Sequence, residues 1–465
     1  MVSSSHSYQR TLHADLDTPV SAYLKLRAYS PWSFLYESVE GPEHWARYSI
    51  LGFGAKRTFV AEGGELTVTT AEGAKTTPAR DPLDGIRTAL ENAPLLPPKD
   101  GPAFVGGIFG YLSYDAVQRF ETIRPDGVTH DEVPDACFVE PEVLAVFDSR
   151  THSLTLYADS ETILDDVETH LAAQVPERQR PSSWQEPEPR ESRDAYMESV
   201  AKAKEHIRAG DIIQVVLSRR FCLPRLADPF DVYRGLRVIN PSPYLYYFSS
   251  PSLQIAGASP EVMVRVEDNH VTVRPIAGTR PRGTTPAEDA ELAEDLLADP
   301  KERAEHIMLV DLGRNDVGRV AVPGTVSIPD LMVIENYSHV MHIVSEVRGE
   351  LDKDIDAFSA LRAAFPAGTL SGAPKIRAMQ IIDELEASAR GIYGGAVGYF
   401  GPNGNADFGI AIRTLVAYPE QFVIQAGAGI VADSDPERET DETEHKARAV
   451  VRAVQWATEQ WRDGA

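Results

Sequence analysis

The stretch from Phe400 to Lys446 constrains the fold more than any other part of the chain. Two apolar runs, Gly394 to Phe400 and Phe408 to Tyr418, flank the sequence Gly-Pro-Asn-Gly-Asn at 401–405. Glycine and asparagine supply the backbone geometry of a tight turn between antiparallel strands. A third apolar run, Phe422 to Gln425, follows directly. The stretch therefore predicts three neighbouring strands of an antiparallel sheet.

Polar groups in the same stretch suggest a binding site. Arg413 lies inside the apolar second strand, and glycines after the third strand would let backbone N–H groups approach an anion closely. Glu439, Glu442 and Lys446 follow at i, i+3 and i+7 of a predicted helix, so they share one face. These features indicate a site for a dianionic ligand and a hard cation. A solvated acidic helix after a hairpin is the alternative that this stretch alone leaves open.

The composition fits a soluble enzyme. The chain of 465 residues has a formal net charge of −25, whereas nucleic acid and anionic membranes attract positive patches. This length is enough for one large or two medium domains, and a hydrophobic share of 43% makes a sizeable core available. The two cysteines, Cys137 and Cys222, provide neither a disulfide framework nor a metal cluster. Because we see no signal segment and no apolar run of roughly 20 residues, we expect a cytoplasmic protein.

Strands and helices are predicted in separate blocks, which indicates an α+β fold. The first part is rich in short apolar runs and ends with a helix from Ser160 to Ala173. Residues 175–191 contain four prolines among charged residues and are predicted to be a linker or exposed loop. We therefore predict an N-terminal region at 1–174 and a second domain at 192–465. We find no sequence repeat, and no glycine-rich motif that indicates nucleotide binding.

A second pair of carboxylates strengthens the case for a cation site. Glu302 and Glu305 lie at i, i+3 of a predicted helix beside an apolar run, where paired carboxylates are costly unless they are solvated or bound to a cation. Mg²⁺ takes oxygen ligands and commonly uses one or two carboxylates together with ligand oxygens. Ion pairs on a surface helix, such as Lys301 with Glu305, are the alternative.

Three other segments carry groups suited to chemistry. His339 and His342 are three residues apart, and a metal pair, a buried histidine and a catalytic base all remain open. A small-residue turn at 368–372 precedes a helix predicted to open at Ala373-Pro374, which suits an anion or is an ordinary proline-started helix. Glu261 follows a small-residue strand end at 256–260.

Nine blocks, taken together and in order, resemble the chorismate-utilising enzymes, most closely the large subunits of anthranilate synthases. The blocks are QVVLSRR (214–220), NPSPYLYY (240–247), GASPE (257–261), PIAGTRPRG (275–283), EHIMLVDLGRND (305–316), AGTLSGAPK (367–375), GIYGGAVGY (391–399), AIRT (411–414) and AGAGIVADSDPERE (426–439). The first half matches more weakly, through FLYES (34–38) and GGIFGYLSYD (106–115).

The resemblance implies a fold and a set of ligands. The fold is an α+β sandwich of large antiparallel sheets with helices outside and a ligand cleft between them. Glu305 and Glu442 would hold Mg²⁺, with Glu302 and Glu439 behind them. The ion would neutralise the ring carboxylate of chorismate.

The resemblance also implies roles around the substrate. Glu261 would be the general acid that protonates the departing 4-hydroxyl, and His342 would assist loss of the C2 proton and of pyruvate. Tyr393 and Arg413 would take the enolpyruvyl carboxylate, for which the arginine fork is suited. The other residues that would line the substrate site are Gly278, Thr279, Thr369, Gly427, Ala428, Gly429 and Lys446.

Two positions bear on the choice of nucleophile within the family. Ala277 stands where the resemblance places lysine in enzymes that add nitrogen at C4, and a methyl group cannot attack the ring. Gln214 stands where water-adding members carry lysine, and an amide has no useful basicity. Both residues therefore favour free ammonia adding at C2.

A tryptophan feedback site is the third expectation from the resemblance. It would lie away from the chemistry, with apolar groups around the indole and polar groups at the amino-acid end. Its residues would be Glu37, Ser38, Arg47, Asn240, Pro243, Tyr244 and Leu245. Tyr36 and Leu245 depart from the family pattern, but both are apolar, and core strand ends are the alternative interpretation.

The implied reaction is chorismate plus ammonia to anthranilate plus pyruvate, a step of tryptophan biosynthesis. A separate glutamine amidotransferase subunit would supply the ammonia, because neither half offers a convincing cysteine nucleophile with its base. Aminodeoxychorismate synthase, isochorismate or salicylate synthase, and a synthase that stops at aminodeoxyisochorismate remain alternatives. A regulatory subunit that binds chorismate or tryptophan without catalysis is the alternative from another class of protein.

Overall fold

A computed structural model describes residues 8–38, 47–96, 102, 104–123, 133–177, 181, 183–337 and 340–459. The N-terminal part contains β1 (Tyr8–His13), α1 (Pro19–Leu26), β2 (Ser33–Glu37), β3 (Tyr48–Phe53), β4 (Arg57–Glu62), β5 (Glu65–Thr70), β6 (Gly73–Pro78), α2 (Pro82–Asn92), β7 (Ile108–Leu112), a 3₁₀ helix (Tyr114–Arg119), β8 (Ala136–Glu140), β9 (Val143–Asp148), β10 (Ser153–Ala158) and α3 (Glu161–Ala172).

The rest of the chain first adds β11 (Glu188–Pro189), α4 (Arg193–Ala209), β12 (Gln214–Pro224), α5 (Pro229–Ile239), β13 (Tyr244–Ser249), β14 (Gln254–Ser259), β15 (Val262–Glu267), β16 (His270–Val273), β17 (Ile276–Pro281), α6 (Pro286–Ala298) and α7 (Pro300–Gly318). It continues with β18 (Ser327–Asn336), β19 (Val340–Glu350), α8 (Ala357–Ala364), a short 3₁₀ turn (Gly368–Leu370), β20 (Gly372–Ala373), α9 (Lys375–Leu385), β21 (Ala396–Phe400), β22 (Ala406–Ile410), β23 (Thr414–Ala417), β24 (Gln421–Ile430) and α10 (Pro436–Glu459).

Among the described residues, the strands form two sheets of twelve strands each. Sheet 1 has the order β1-β10-β9-β3-β2-β13-β14-β23-β24-β12-β11, with β20 also on β12. Sheet 2 has the order β17-β19-β16-β15-β22-β21-β7-β8-β4-β5-β6, with β18 also on β19. The pairings that define this order are antiparallel, for example β14 with β23 and β15 with β22.

The two sheets pack face to face. Between them Phe34 of sheet 1 stacks on Phe109 of sheet 2, with ring centroids 4.4 Å apart. Helices α1, α3, α5 and α10 bury their apolar faces on the outer side of sheet 1, and α2, α7 and α8 do so on sheet 2. Successive residues of one strand therefore point into different hydrophobic cores. In β2, Phe34 lies in the core between the sheets and Leu35 in the core under the helices of sheet 1. The predicted α+β sandwich is confirmed.

Strand order repeats between the two parts of the chain, although their sequences show no repeat. Outward from the centre of sheet 1, β2-β3-β9-β10-β1 in one direction matches β13-β14-β23-β24-β12 in the other. In sheet 2, β7-β8-β4-β5 matches β21-β22-β15-β16. Each part contributes strands to both sheets, and the predicted boundary at 175–191 stays a prediction.

Capping residues in the sequence predict where two of the helices begin or end. Ser160 caps α3 by accepting a hydrogen bond from the Ile163 N–H, as its position before the apolar pattern predicts. The sequence also predicts a helix from Arg193 to Ala209 that ends at Gly210. Gly210 ends α4 with a φ of 82°, a left-handed conformation that glycine adopts without a steric penalty.

Three predicted strands need correction. The run from Phe408 to Tyr418 is two strands, β22 and β23, which belong to different sheets. The glycines at 427–429 lie within β24 rather than after it. The apolar run from Ile212 to Ser218 also predicts a strand, which in the structure begins at Gln214 and continues to Pro224. In each case the apolar pattern was right, but the pairing partners decided where the strand stops.

Candidate active site

The site forms where two neighbouring segments leave one sheet for the other. Residues 260–261 connect β14 of sheet 1 to β15 of sheet 2, and 411–413 connect β22 of sheet 2 back to β23 of sheet 1. The segments stay hydrogen-bonded, because the Ile410 N–H donates to the Glu261 carbonyl (3.0 Å) and the Ala258 N–H to the Arg413 carbonyl (3.2 Å). Arg413 has a φ of 50° at this bend. The fold thus places a carboxyl and a guanidinium side by side.

Glu261 is a buried carboxyl with a strongly shifted pKa. Burial raises the pKa of Glu261 to about 7, against the opposing effects of Thr369, Lys446 and Arg413. Thr369 Oγ1 donates a hydrogen bond of 2.7 Å to Glu261 Oε1. A carboxyl that holds a proton near neutral pH can serve as a general acid.

Arg413 is a half-buried cation. No carboxylate of the described residues forms an ion pair with it, and its Nη1 donates only a long hydrogen bond of 3.4 Å to Asn240 Oδ1. Burial lowers the pKa of Arg413, and the nearby Glu261 opposes that shift. A half-buried guanidinium without a fixed counter-ion suits an anionic ligand.

The glycines of β24 make room for two side chains. A Cβ on Gly427 would lie 2.7 Å from Tyr393 Oη, and one on Gly429 would lie 2.7 Å from Gln214 Nε2. Lys446 Nζ donates to the Gly427 carbonyl at 3.1 Å. Ala428 sits buried between the two glycines. The sequence predicts that these glycines let backbone N–H groups approach an anion. The structure adds a second reason for glycine at both positions, because a Cβ atom there would clash with Tyr393 or Gln214.

His342 lies on β19 and faces a bulge of β17. The Gly278 carbonyl, at 2.9 Å from His342 Nδ1, can only accept, so Nδ1 carries the proton. Thr279 Oγ1 is 3.1 Å from the same nitrogen. Burial lowers the pKa of His342, with the Gly278 hydrogen bond opposing the shift. The neutral ring therefore has Nε2 free to accept a proton. Ala277 pairs with Ile343 in the same ladder, and His339 lies outside the described residues.

The four predicted metal ligands lie in two pairs on α7 and α10. Burial, and then the neighbouring Glu305, raise the pKa of Glu302. Burial is also the largest cause of the raised pKa of Glu439, and Glu442 adds to it. Lys301 acts electrostatically on Glu439, which places the start of α7 close to the start of α10.

Two of the four carboxylates already contact a neighbouring polar side chain. Glu305 Oε1 accepts from Gln214 Nε2 at 3.2 Å, and Glu442 Oε1 pairs with Lys446 Nζ at 2.7 Å. No group of three or more possible ligands is clustered in the part of the chain that the structure describes. The donors are all carboxylates with mutual repulsion, which fits a hard cation such as Mg²⁺ that also takes oxygens from a ligand.

A separate cavity of about 410 Å³ lies between the sheets, against the predicted tryptophan residues. Glu37, Ser38, Pro243, Tyr244 and Leu245 line it, whereas Arg47 and Asn240 do not. Arg47 pairs with Asp148 at 2.6 Å, and Asn240 contacts Arg413. The Glu37 carboxylate accepts from Tyr233 Oη, Arg237 Nε and Ser49 Oγ, so it is already occupied by neighbouring residues.

Sequence reasoning missed several polar groups near these sites. In the cavity between the sheets, Asp407 accepts from Tyr244 Oη and from Arg265 Nη2, each at 2.6 Å. Arg390 is buried and donates to the Leu370 and Val216 carbonyls, each at 2.6 Å, which fixes the backbone beside Thr369. Charged residues within strongly apolar blocks, such as Arg265 in VMVRVE, were the available signal.

Similar proteins identify the family. Residues 33–452 match the family described as chorismate binding enzyme. Anthranilate synthase component 1 of Acinetobacter calcoaceticus is 47% identical, over 95% of this chain and 93% of the relative. The Thermus thermophilus protein of the same name is 46% identical over 97% and 98%.

Solved structures agree. Anthranilate synthase component I from Streptococcus pneumoniae has a TM-score of 0.79 at 37% identity, covering 95% of this chain and 99% of that one. The menaquinone-specific isochorismate synthase from Escherichia coli shares the fold, with a TM-score of 0.74 at 18% identity, 98% of this chain and 96% of its own length.

The chain therefore belongs to the chorismate-binding enzymes. Within that family it is an enzyme of the anthranilate synthase component 1 type. Among the described residues, none of the helices combines the length and apolar character needed to cross a membrane.

Proposed function

We propose that this chain converts chorismate and ammonia to anthranilate and pyruvate, as a step of tryptophan biosynthesis in the cytoplasm. The observation that carries the proposal is the proximity of Glu261, a buried carboxyl with a pKa of about 7, to the half-buried cation Arg413 where the chain passes between the sheets. Component 1 relatives at 46–47% identity support the same conclusion.

The first step is addition of ammonia at C2 with loss of the 4-hydroxyl. The ammonia lone pair forms the new C–N bond at C2, the ring double bonds shift toward C4, and the C4–O bond breaks. Glu261 gives its proton to the hydroxyl, which leaves as water, and the new ammonium group loses a proton to solvent. Arg413 and Tyr393 hold the enolpyruvyl carboxylate, and Gly278, Thr279, Thr369 and Lys446 complete the lining. Ala277 and Gln214 offer neither an amine nucleophile nor a base for water, so ammonia adds.

The second step forms the aromatic ring. His342 Nε2 accepts the C2 proton while the C3–O bond breaks and the side chain leaves as the enolate of pyruvate. The methylene carbon of this enolate then takes a proton from water, which gives pyruvate. Glu305 and Glu442, supported by Glu302 and Glu439, would hold Mg²⁺, which when bound neutralises the ring carboxylate. A glutamine amidotransferase subunit is the proposed ammonia source.

Tryptophan inhibition is a separate part of the proposal. The cavity between the sheets offers aromatic walls such as Tyr36 and Tyr244, with Arg265 and Asp407 as polar groups, which suits an aromatic amino acid.

The test is turnover of chorismate with Mg²⁺ and ammonium at about pH 8.5, where amines begin to deprotonate. Anthranilate fluorescence and mass spectrometry follow the products. We expect anthranilate and pyruvate in equal amounts with ammonia, and neither isochorismate nor salicylate without it. Isochorismate as the main product, or nitrogen at C4, would reject the proposal in favour of another member of the family.

A further inference from the structure

Arg390 is a buried cation that joins the turn carrying Thr369 to sheet 1. Its side chain is only 1% exposed. Its Nη1 donates to the Leu370 carbonyl and its Nη2 to the Val216 carbonyl of β12, each at 2.6 Å. The Val216 N–H donates to the Ser371 carbonyl at 2.9 Å. The guanidinium and this backbone hydrogen bond together fix the turn against β12.

The same turn carries the hydrogen-bond donor to Glu261. Thr369 directly precedes Leu370, and its Oγ1 donates to Glu261 Oε1 at 2.7 Å. Arg390 is therefore linked to Glu261 by two short side-chain hydrogen bonds with a single peptide unit between them. The cations Arg413 and Lys446 act on Glu261 electrostatically and belong to other segments of the chain.

Arg390 is itself held in one orientation. Glu386 accepts from its Nε at 2.9 Å and from its Nη2 at 2.7 Å. The ring of Tyr114 faces the guanidinium, 4.5 Å from its carbon to the ring centroid. The next residue, Gly391, donates its N–H to Asp115 Oδ2 at 2.7 Å. A planar fork with a bidentate carboxylate and a fixed backbone keeps its direction toward the turn.

The geometry requires a guanidinium rather than any cation. Arginine presents five N–H donors in fixed directions, so it reaches the Leu370 carbonyl, the Val216 carbonyl and Glu386 at once. A lysine ammonium is a point charge whose donors share one nitrogen, and it cannot span these three partners. Leu370 is buried, so a carbonyl that loses this donor has a reason to move toward another partner.

We propose that Arg390, fixed by Glu386, is a positioning residue for the acid step, because it holds the turn where Thr369 hydrogen-bonds to Glu261. The inference rests on the proposed function, in which Glu261 protonates the departing hydroxyl. Arg390 acts on that step through the backbone at Leu370 and the Thr369 hydroxyl, not on the reacting atoms.

The experiment is a double-mutant cycle on the pH profile. Wild type, Arg390→Lys, Thr369→Val and the variant with both changes are compared by kcat/KM for chorismate at constant free ammonia. The hydroxyl of Thr369 stabilises ionised Glu261, so its loss moves the fall in activity at high pH upward by about one pH unit. We expect Arg390→Lys to give the same upward shift alone and no further shift when Thr369 is already valine.

Arg219→Lys is the matched control. Its guanidinium is also buried, with a side chain 0% exposed, and it donates to Glu444 at 3.0 Å instead of to the turn. This variant should lose stability in urea unfolding but keep the wild-type pH profile. If Arg390→Lys lowers kcat/KM equally at every pH, its role is structural and the proposal is overturned. Shifts that add in the variant with both changes would also overturn it, because Arg390 would then act independently of Thr369.

A second variant covers the case in which Arg390→Lys does not fold. Glu386→Gln with Arg390→Met removes both buried charges together, so neither is left unpaired. Glutamine keeps an acceptor for the Ser218 N–H, which Glu386 Oε1 now holds at 2.7 Å. The same shift of the pH profile is expected.

The Thr369→Val arm separates this inference from the proposed function. If Thr369→Val itself leaves the profile unshifted, the assignment of Glu261 as the acid fails and the positioning role fails with it. If Thr369→Val shifts the profile but the Arg390 variants do not, the acid assignment stands and only the role of Arg390 is rejected.

Discussion

Ile410 donates its backbone N–H to the carbonyl oxygen of Glu261 at 3.0 Å, at the point where both segments pass between the two sheets. This hydrogen bond fixes the register of the two crossings, so that Glu261 and Arg413 come from strands far apart in sequence yet share one bend. A bend between sheets frees side chains from the alternating in-and-out pattern of a strand. The acid and the anion-binding cation therefore occupy positions set by backbone pairing rather than by long flexible loops.

Replacing Thr369 by valine should move the alkaline limb of the pH profile. Glu261 acts in its protonated form, so activity falls as the pH rises through its pKa. The Thr369 hydrogen bond stabilises the ionised form and lowers that pKa. Its loss should raise the pKa, and the alkaline limb of kcat/KM for chorismate, measured at constant free ammonia, should shift upward by about one unit. Thr369→Ser, which keeps the hydroxyl, should leave the limb in place; an unshifted limb in the valine variant would contradict the assignment.

Glu261→Gln should stabilise the fold at neutral and alkaline pH. The folded-state pKa of about 7 lies above the ordinary value of 4.5, so the folded state binds more protons between these values. Stability is therefore lost as the pH rises through that window, and the glutamine variant escapes this loss. The stability difference between variant and wild type should grow by about 3 kcal/mol between about pH 4.5 and 8. Urea unfolding at both pH values measures it, and a difference independent of pH would disprove the buried-acid description.

His342→Ala should separate the two chemical steps. Because Nδ1 is held by the Gly278 carbonyl, Nε2 is the atom that takes the C2 proton. The variant should still consume chorismate but accumulate the amino-dihydro intermediate, which mass spectrometry detects. His339→Ala serves as the neighbouring control and should give anthranilate. If both variants behave alike, the role of His342 is unsupported.

Removing Mg²⁺ with a chelator and removing one of its predicted carboxylate ligands should both lower the activity. Glu305→Gln or Glu442→Gln should lower kcat on the order of 100-fold or more with the fold intact, as excess chelator should for wild type. The control is Glu437→Gln, which replaces an exposed carboxylate in the first turn of α10 and should retain wild-type activity. Full turnover of either ligand variant in Mg²⁺-containing buffer would remove that residue from the site.

Substitutions in the lining of the cavity between the sheets should weaken inhibition by tryptophan, and substitutions outside the lining should not. Pro243→Ser or Ser38→Arg should raise the tryptophan concentration for half inhibition by tenfold or more without lowering the uninhibited rate, within the usual coupling of about 1–3 kcal/mol. Arg47→Ala should leave inhibition unchanged, because Arg47 pairs with Asp148 outside the cavity lining. Absence of inhibition in wild type would end this part of the proposal.

The sequence determined the local elements and the chemistry of the side chains. Caps such as Ser160 and Gly210 fixed helix ends, because the interactions that stop a helix lie within a few residues of its end. The apolar run from Tyr48 to Phe53 is enough to predict a strand, and it matches β3 at its full length, Tyr48–Phe53. The sequence blocks around Glu261, Glu305, His342 and Arg413 are enough, through the family that they resemble, to indicate an acid, a metal site, a base and an anion site.

Only the tertiary structure decided how those elements meet. The run from Phe408 to Tyr418 is apolar apart from Arg413 and Thr414, so its pattern could not show that the chain changes sheets at 411–413. The direction of the Glu37 carboxylate toward Tyr233 and Arg237 depends on partners about 200 residues away in the chain. Periodicity tells which side of a strand is apolar, but pairing between distant strands chooses the neighbour, and it is that choice which assembles the site.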